Sequence, residues 1–360
     1  MNLALPADRP LRILVTRADR LGDLVLSTPV LEALRKKFPE AWISLLVFQE
    51  NREAAEGNPF INEVLLYDKT GREKGLWGQA RLALRLAAKR FDRVIHLHAT
   101  NRMHLLTLAA GIPRRLGWRR KCAWALTDSL PDVKKEGLKH EALYNFDLLA
   151  PLGISARAGE LRAHFPLTEK NKQSLDELLR HHGVDTAKPW VIFNPSASCP
   201  SKIWPAERFA ELADKIRSVY AVELMAIGTR ADRLYTERLH KAAHSPVHDL
   251  SGRLSLGMLG VLLSRAALLI SNDSGPGHVA NAVGTPVISI FGRKQPGLSP
   301  LRWGPLDSGS RVVWKDVGCE TCAAHLCPIH FLCLDAIQTS DVMAQIGAFE
   351  KRLTPAGTPV

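Results

Sequence analysis

The chain has 360 residues, 46% of them hydrophobic and 23% charged, with a formal net charge of +12. That length suits two domains with full cores, and the composition excludes a disordered or low-complexity chain. The charge excess is uneven, net +9 over residues 1–180 against net +3 over residues 181–360, which points to an anionic partner for the first half.

Met1 to Pro10 carries Asp8 and Arg9 and has no apolar core. No cleaved leader is expected, and a cytoplasmic location is. Arg12 to Thr16 predicts a strand and Leu24 to Phe38 a helix. Trp42 to Phe48 and Val64 to Leu66 predict strands, Leu76 to Lys89 a helix, and Val94 to Leu97 a strand. Met103 to Ala110 and His140 to Leu152 read as helices. This strand–helix alternation argues for a doubly wound parallel sheet. After the polar stretch Thr168 to Lys172, a second such unit follows. Its helices are expected over Asn171 to His181, Pro205 to Tyr220 and Arg230 to Ala243, and its strands over Trp190 to Asn194 and Val222 to Ile227. Ala266 to Ile270 and Val287 to Phe291 are further strands around a short helix, and Asp341 to Arg352 predicts a closing helix. The most apolar stretch, Leu254 to Ile270, is broken by Arg265 and two glycines and is too short to cross a bilayer.

Three loops carry chemistry. Arg17-Ala-Asp-Arg-Leu-Gly-Asp23 leaves the first strand and enters the first helix. Ligands of open parallel sheets lie outside the carboxyl ends of strands, so Asp23 is placed to act as a general base or, more plainly, as a helix cap. A helix N-terminus weakens a carboxylate as a base unless burial or a nearby anion raises its pKa again. Asn194-Pro-Ser-Ala-Ser-Cys-Pro-Ser-Lys-Ile-Trp-Pro205 offers the hydroxyls of Ser196 and Ser198 and the cation of Lys202, a set suited to a diphosphate. Its other reading is a plain strand–loop–helix joint with Trp204 as core. Ser271-Asn-Asp-Ser-Gly-Pro-Gly-His278 forms a glycine turn opening a helix. Asp273 or Ser274 can cap that helix, Pro276 suits its first turn, and the free N–H groups favour an anion.

Two further clusters stand apart. Arg114, Arg115, Arg119, Arg120 and Lys121 form a basic patch, either a solvated face or a site for lipid headgroups or a phosphorylated glycan. No aromatic RNA-binding motif or zinc-finger spacing accompanies it, so nucleic acid is not expected. Cys319, Cys322, Cys327 and Cys333 are close in sequence; a structural metal and packed or free thiols are both open readings.

Leu21-Gly-Asp-Leu-Val-Leu-Ser-Thr-Pro29, Lys202-Ile-Trp-Pro205 and Asp273-Ser-Gly-Pro-Gly-His-Val-Ala280, in this order, resemble glycosyltransferase family 9, the ADP-heptose:lipopolysaccharide heptosyltransferases. The resemblance implies a GT-B fold, two Rossmann-like α/β domains facing each other across a cleft. It places an acceptor-binding domain over 1–167 and a nucleotide-sugar-binding domain over 168–340. Residues 341–360 would be a helix returning toward the first domain, and a tail. It implies Asp23 as catalytic base and Ser196, Ser198 and Lys202 on the diphosphate. Asp273 would hold the sugar hydroxyls, with Ser274, Gly275 and His278 on the phosphates or sugar. Arg102, Arg114, Arg115, Arg119 and Arg120 are the acceptor-side candidates. The implied reaction is inverting heptose transfer from ADP-heptose to the lipopolysaccharide inner core, without catalytic metal or other cofactor. The acceptor is an anionic glycolipid, which allows peripheral contact with the inner membrane. Another nucleotide sugar or glycan acceptor, or a non-catalytic nucleotide-sugar-binding protein, is the alternative. A dehydrogenase is disfavoured because no G-x-G-x-x-G follows the first strand. The chain departs from the family pattern at His96, where an Asp is common, and at Arg293-Lys-Gln295, where Pro-Thr is usual. In relatives an acidic residue contacts the nucleotide ribose; near Gly228 to Asp232 only Asp232 is acidic.

Overall fold

The computed structural model describes residues 9–319, 322 and 325–354. The N-terminal segment up to Asp8 and the tail beyond Thr354 lie outside the described residues. The chain divides into two compact units, Met1–Pro166 and Leu167–Val360.

In the first unit the strands are β1 (Arg12–Thr16), β2 (Trp42–Phe48), β3 (Glu63–Tyr67), β4 (Arg93–His96), β5 (Arg114–Arg119) and β6 (Asp128–Pro131). They form one parallel sheet in the order β3-β2-β1-β4-β5-β6. Its helices are α1 (Leu21–Val25), α2 (Thr28–Lys37), α3 (Gly75–Ala88), α4 (Asn101–Ala109) and α5 (Glu141–Asp147). The single helix expected over Leu24 to Phe38 is two. Pro29 has no N–H for the carbonyl of Val25, and the Thr28 hydroxyl donates to that carbonyl instead, at 2.7 Å. The helix expected over His140 to Leu152 likewise ends at Asp147 and continues only as a single turn, Ala150–Leu152.

The second unit repeats the topology. Its strands are β7 (Trp190–Asn194), β8 (Glu223–Ala226), β9 (His248–Asp249), β10 (Leu268–Asn272), β11 (Val287–Phe291) and β12 (Arg311–Trp314), in the parallel order β12-β11-β10-β7-β8-β9. Helices α6 (Glu169–His181), α7 (Ala206–Val219), α8 (Arg233–Ala242), α9 (Leu256–Arg265) and α10 (Gly275–Ala282) pack around it. The short α11 (Pro300–Trp303) and α12 (Leu332–Asp335) precede the closing pieces α13 (Thr339–Ile346) and α14 (Glu350–Leu353). Trp204, Phe209 and Phe193 centre the core, where Trp204 packs edge-on against Phe209 at 4.9 Å. Ile346, Phe349 and Leu353 of the closing segment join this core.

Both sheets have the doubly wound order in which the chain reverses direction beside the first strand. Those reversal points lie between β1 and β4 in one unit and between β7 and β10 in the other. Loops leaving the carboxyl ends of these strands open the crevice in which such folds bind ligands. The strand expected over Ala266 to Ile270 runs two residues later, so Ser271 and Asn272 enter the sheet as buried polar positions.

Candidate active site

In the first unit, Arg17 follows β1 directly and is 2% exposed. Its guanidinium donates to the carbonyl of Leu97 at 2.9 Å and to Asp23 Oδ1 at 2.5 Å. Glu141 Oε1 lies 3.6 Å from the same nitrogen and Asp19 Oδ2 3.8 Å. Lys134 donates to Glu141 at 2.6 Å, and His98 Nδ1 sits 2.5 Å from Asp19. Three carboxylates thus converge on one buried guanidinium. Burial works to raise the Asp19 carboxyl, but the His98 hydrogen bond and Arg17 outweigh it and hold it at about 2. Asp23 goes the other way. Burial raises its pKa, Arg17 opposes the rise, and the charges of Asp19 and Glu141 add to it. Burial and like charge thus raise a carboxyl that a helix start alone would lower.

β4 ends at His96, and His98 lies beyond it, half-buried against Asp19. His96 is fully buried, with Nδ1 2.9 Å from the Thr16 hydroxyl and Nε2 3.0 Å from that of Thr107. Burial, then the neighbouring His104 and Arg115, hold its pKa well below the usual histidine range. A neutral imidazole between two hydroxyls leaves no buried charge there.

In the second unit, Trp204 anchors the loop after β7. Its indole N–H donates to the carbonyl of Ile337 at 2.9 Å, and its backbone N–H donates to Asn272 Oδ1 at 3.1 Å. Asn272 Nδ2 returns a bond to the carbonyl of Pro195 at 2.8 Å. Asn194 Nδ2 reaches the hydroxyls of Ser271 at 2.9 Å and Ser274 at 2.6 Å. These buried amides lace the loops after β7 and β10 together. The result places Lys202 Nζ 2.9 Å from Asp273 Oδ2 and 3.1 Å from the Asp273 carbonyl. Arg293, just after β11, donates to the same Asp273 oxygen at 2.8 Å. Ser274 is the N-cap residue of α10, but its hydroxyl bonds Asn194 and the carbonyl of Asn272 rather than capping the helix. Gly275 opens α10 and His278 is buried on it. Ser196 is buried beside Asn194, whereas Ser198 is exposed. Asp232 accepts from the N–H and hydroxyl of Thr229, closing a capping box before α8.

The basic cluster runs along β5 and past its end. Arg115 is spent on structure, donating to the carbonyls of Ala125 and Ile112. Arg114, Arg119, Arg120 and Lys121 are exposed; Arg119 contacts Ser129, and Arg120 pairs with Asp132 at 3.1 Å. Arg102 is exposed and donates to the Tyr67 hydroxyl at 2.6 Å. Cys319, Cys322, Cys327 and Cys333 are half-buried and outside any disulfide. Burial, then the three other thiols of the set, push Cys333 up. Among the described residues, no group of three or more His, Cys, Asp and Glu is arranged to hold a metal ion.

Sequence reasoning missed Arg17, Asp19, Glu141, Lys134, Asn194 and Asn272 as site residues. A signal existed for Arg17, a charged residue directly extending an apolar strand. None existed for Glu141, which meets Arg17 only through folding, or for Lys134, which joins the cluster through Glu141.

A model of glycosyltransferase family 9 (heptosyltransferase) matches residues 79–332. The chain is 29% identical over 286 residues to lipopolysaccharide heptosyltransferase 3 of Escherichia coli K12, covering 75% of this chain and 79% of the relative. Among solved structures, a family 9 glycosyl transferase from Veillonella parvula superposes with a TM-score of 0.81 at 26% identity, covering 95% of this chain and 97% of that one. The E. coli ADP-heptose lps heptosyltransferase II shares the fold with a TM-score of 0.77 at 23% identity, covering 94% and 98%.

Proposed function

Since the chain belongs to glycosyltransferase family 9, we propose that it transfers heptose from ADP-heptose to the inner core of lipopolysaccharide, inverting the anomeric centre without a catalytic metal. The observation that carries this reading is Asp23, a carboxyl held by Arg17 at the carboxyl end of β1, whose raised pKa makes it a stronger base than an exposed aspartate. In this reading Asp23 takes the proton of an acceptor hydroxyl as that oxygen attacks the anomeric carbon opposite the leaving diphosphate. Negative charge builds on the departing oxygens. Lys202 and the N–H groups opening α10 stabilise it where it develops, the task a divalent cation performs in other transfer sites. Both cations on Asp273 use Oδ2, which leaves Oδ1 for a sugar hydroxyl. The heptose and the lipopolysaccharide acceptor are supported by the named function of the E. coli K12 relative. The exposed arginines of β5 would meet acceptor phosphates, at the cytoplasmic face of the membrane.

A thermal-shift panel of nucleotide sugars tests the donor, because a ligand that binds the native state raises its melting temperature. ADP-heptose should give the largest shift. A larger shift from another nucleotide sugar would redirect the donor assignment, and binding without transfer would make the protein a nucleotide-sugar-binding relative.

A further inference from the structure

We propose that Arg293 is a second diphosphate-binding cation of the donor site, working beside Lys202. The proposal rests on the reading that the donor is a sugar linked to a nucleoside diphosphate.

Arg293 follows Gly292 at the end of β11. A Cβ on Gly292 would meet Leu334 Cγ at 2.6 Å and the Ser201 carbonyl at 3.0 Å. Only glycine lets the chain pass this close to the residue preceding Lys202. The close approach brings the guanidinium onto Asp273 Oδ2 at 2.8 Å, on the oxygen that Lys202 already holds at 2.9 Å. The side chains of Arg293 and Asp273 are 6% and 5% exposed, and that of Lys202 is 14% exposed.

Two cations therefore share one carboxylate, and the trio carries a net positive charge in a largely dehydrated place. A buried charge without a counter-charge is costly, and one carboxylate does not balance two cations. If Arg293 served only to neutralise Asp273, it would duplicate Lys202. The guanidinium also has a buried N–H to spare, because among the described residues Nε has no hydrogen-bond partner. A diphosphate matches both needs, supplying the missing negative charge and acceptor oxygens for the planar fork of arginine. Lys202, a point charge, and Arg293, a fork, would then hold the leaving group from two sides, with Asp273 fixing both. This makes Arg293 a ligand-binding residue and Asp273 the group that positions it.

The test is titration calorimetry of the full chain with inorganic pyrophosphate, ADP and adenosine, comparing wild type with Arg293→Met, Arg293→Lys and Lys202→Ala. Arg293→Met should weaken pyrophosphate and ADP by roughly ten- to one-hundred-fold, the loss expected of a charge-assisted hydrogen bond. Adenosine affinity should hold, and Arg293→Lys should recover part of the loss. Unchanged pyrophosphate and ADP binding in Arg293→Met, while Lys202→Ala weakens both, would overturn the proposal and leave the donor reading intact. Equal losses for ADP and adenosine, with no rescue by lysine, would make Arg293 a structural residue and also overturn it. A wild-type protein that binds neither ADP nor pyrophosphate would remove the donor reading and the proposal together.

Discussion

Arg17→Met removes the one cation that Asp19, Asp23 and Glu141 share, while Lys134 stays on Glu141. Unit charges about 4 Å apart interact by about 4 kcal/mol at an effective dielectric near 20. The three contacts at 2.5, 3.6 and 3.8 Å cannot simply be summed, because burying the guanidinium offsets much of their attraction. Breaking a buried ion pair by removing one partner costs about 3–5 kcal/mol. For a unit of this size that loss lowers the melting temperature by roughly 6–20 °C. The deficit should depend on pH, with a definite sign. Arg17 is the main group opposing the rise of the Asp23 pKa, so without it that pKa climbs further. A carboxyl whose folded pKa exceeds its unfolded value binds more protons folded than unfolded between the two, and stability falls as pH rises through that window. The variant should therefore be closest to wild type in acid and furthest from it at neutral and alkaline pH. Calorimetric unfolding from about pH 5 to about pH 9 reads this directly, with ADP affinity as the control that the second unit is intact. The acid limb of the wild-type kcat/KM profile should lie above the ordinary aspartate range, and in the variant higher still. A deficit that is the same at every pH, or a melting temperature equal to wild type, would refute the assignment of Arg17 as the group that sets Asp23.

Lys202→Ala should weaken ADP roughly ten- to one-hundred-fold by calorimetry, because Asp273 then faces the diphosphate with one cation fewer. Trp204→Ala empties a fully buried site and frees the carbonyl of Ile337; it should cost about 3–5 kcal/mol in denaturant unfolding and loosen the Lys202 loop. Arg114→Glu with Arg119→Glu should raise the KM for an anionic glycolipid by roughly tenfold while leaving ADP affinity unchanged; equal effects on both ligands would contradict an acceptor role.

The first four strands and the central strands of the second sheet were legible because they are short apolar runs between helical periods. β5 was not, since its sequence Arg-Arg-Leu-Gly-Trp-Arg presents as a basic patch; its alternation buries Leu116 and Trp118 and sends Arg119 outward. β9 has two residues and β12 only four, too few for periodicity to register. Asp23, Lys202 and Asp273 could be named from their loops, because strand ends beside a chain reversal are where such sheets bind ligands. Their electrostatics could not. Glu141 is far from Arg17 along the chain, and Arg293 lies beyond a further strand from Asp273, so no local pattern pairs them. The raised pKa of Asp23 depends on burial and on two carboxylates that only folding brings close. The break before Pro29 was readable in hindsight, from a proline with a hydroxyl residue just before it.

The central claim is tested most directly by following transfer from ADP-heptose to a heptose-deficient lipid A–core acceptor by NMR, using wild type and Asp23→Asn side by side. Wild type should release ADP and give a product of inverted anomeric configuration. Asp23→Asn should bind ADP as wild type does and transfer about 10²–10⁴ times more slowly, the usual contribution of a positioned base. Transfer by Asp23→Asn at the wild-type rate, or a product that retains the donor configuration, would contradict the account.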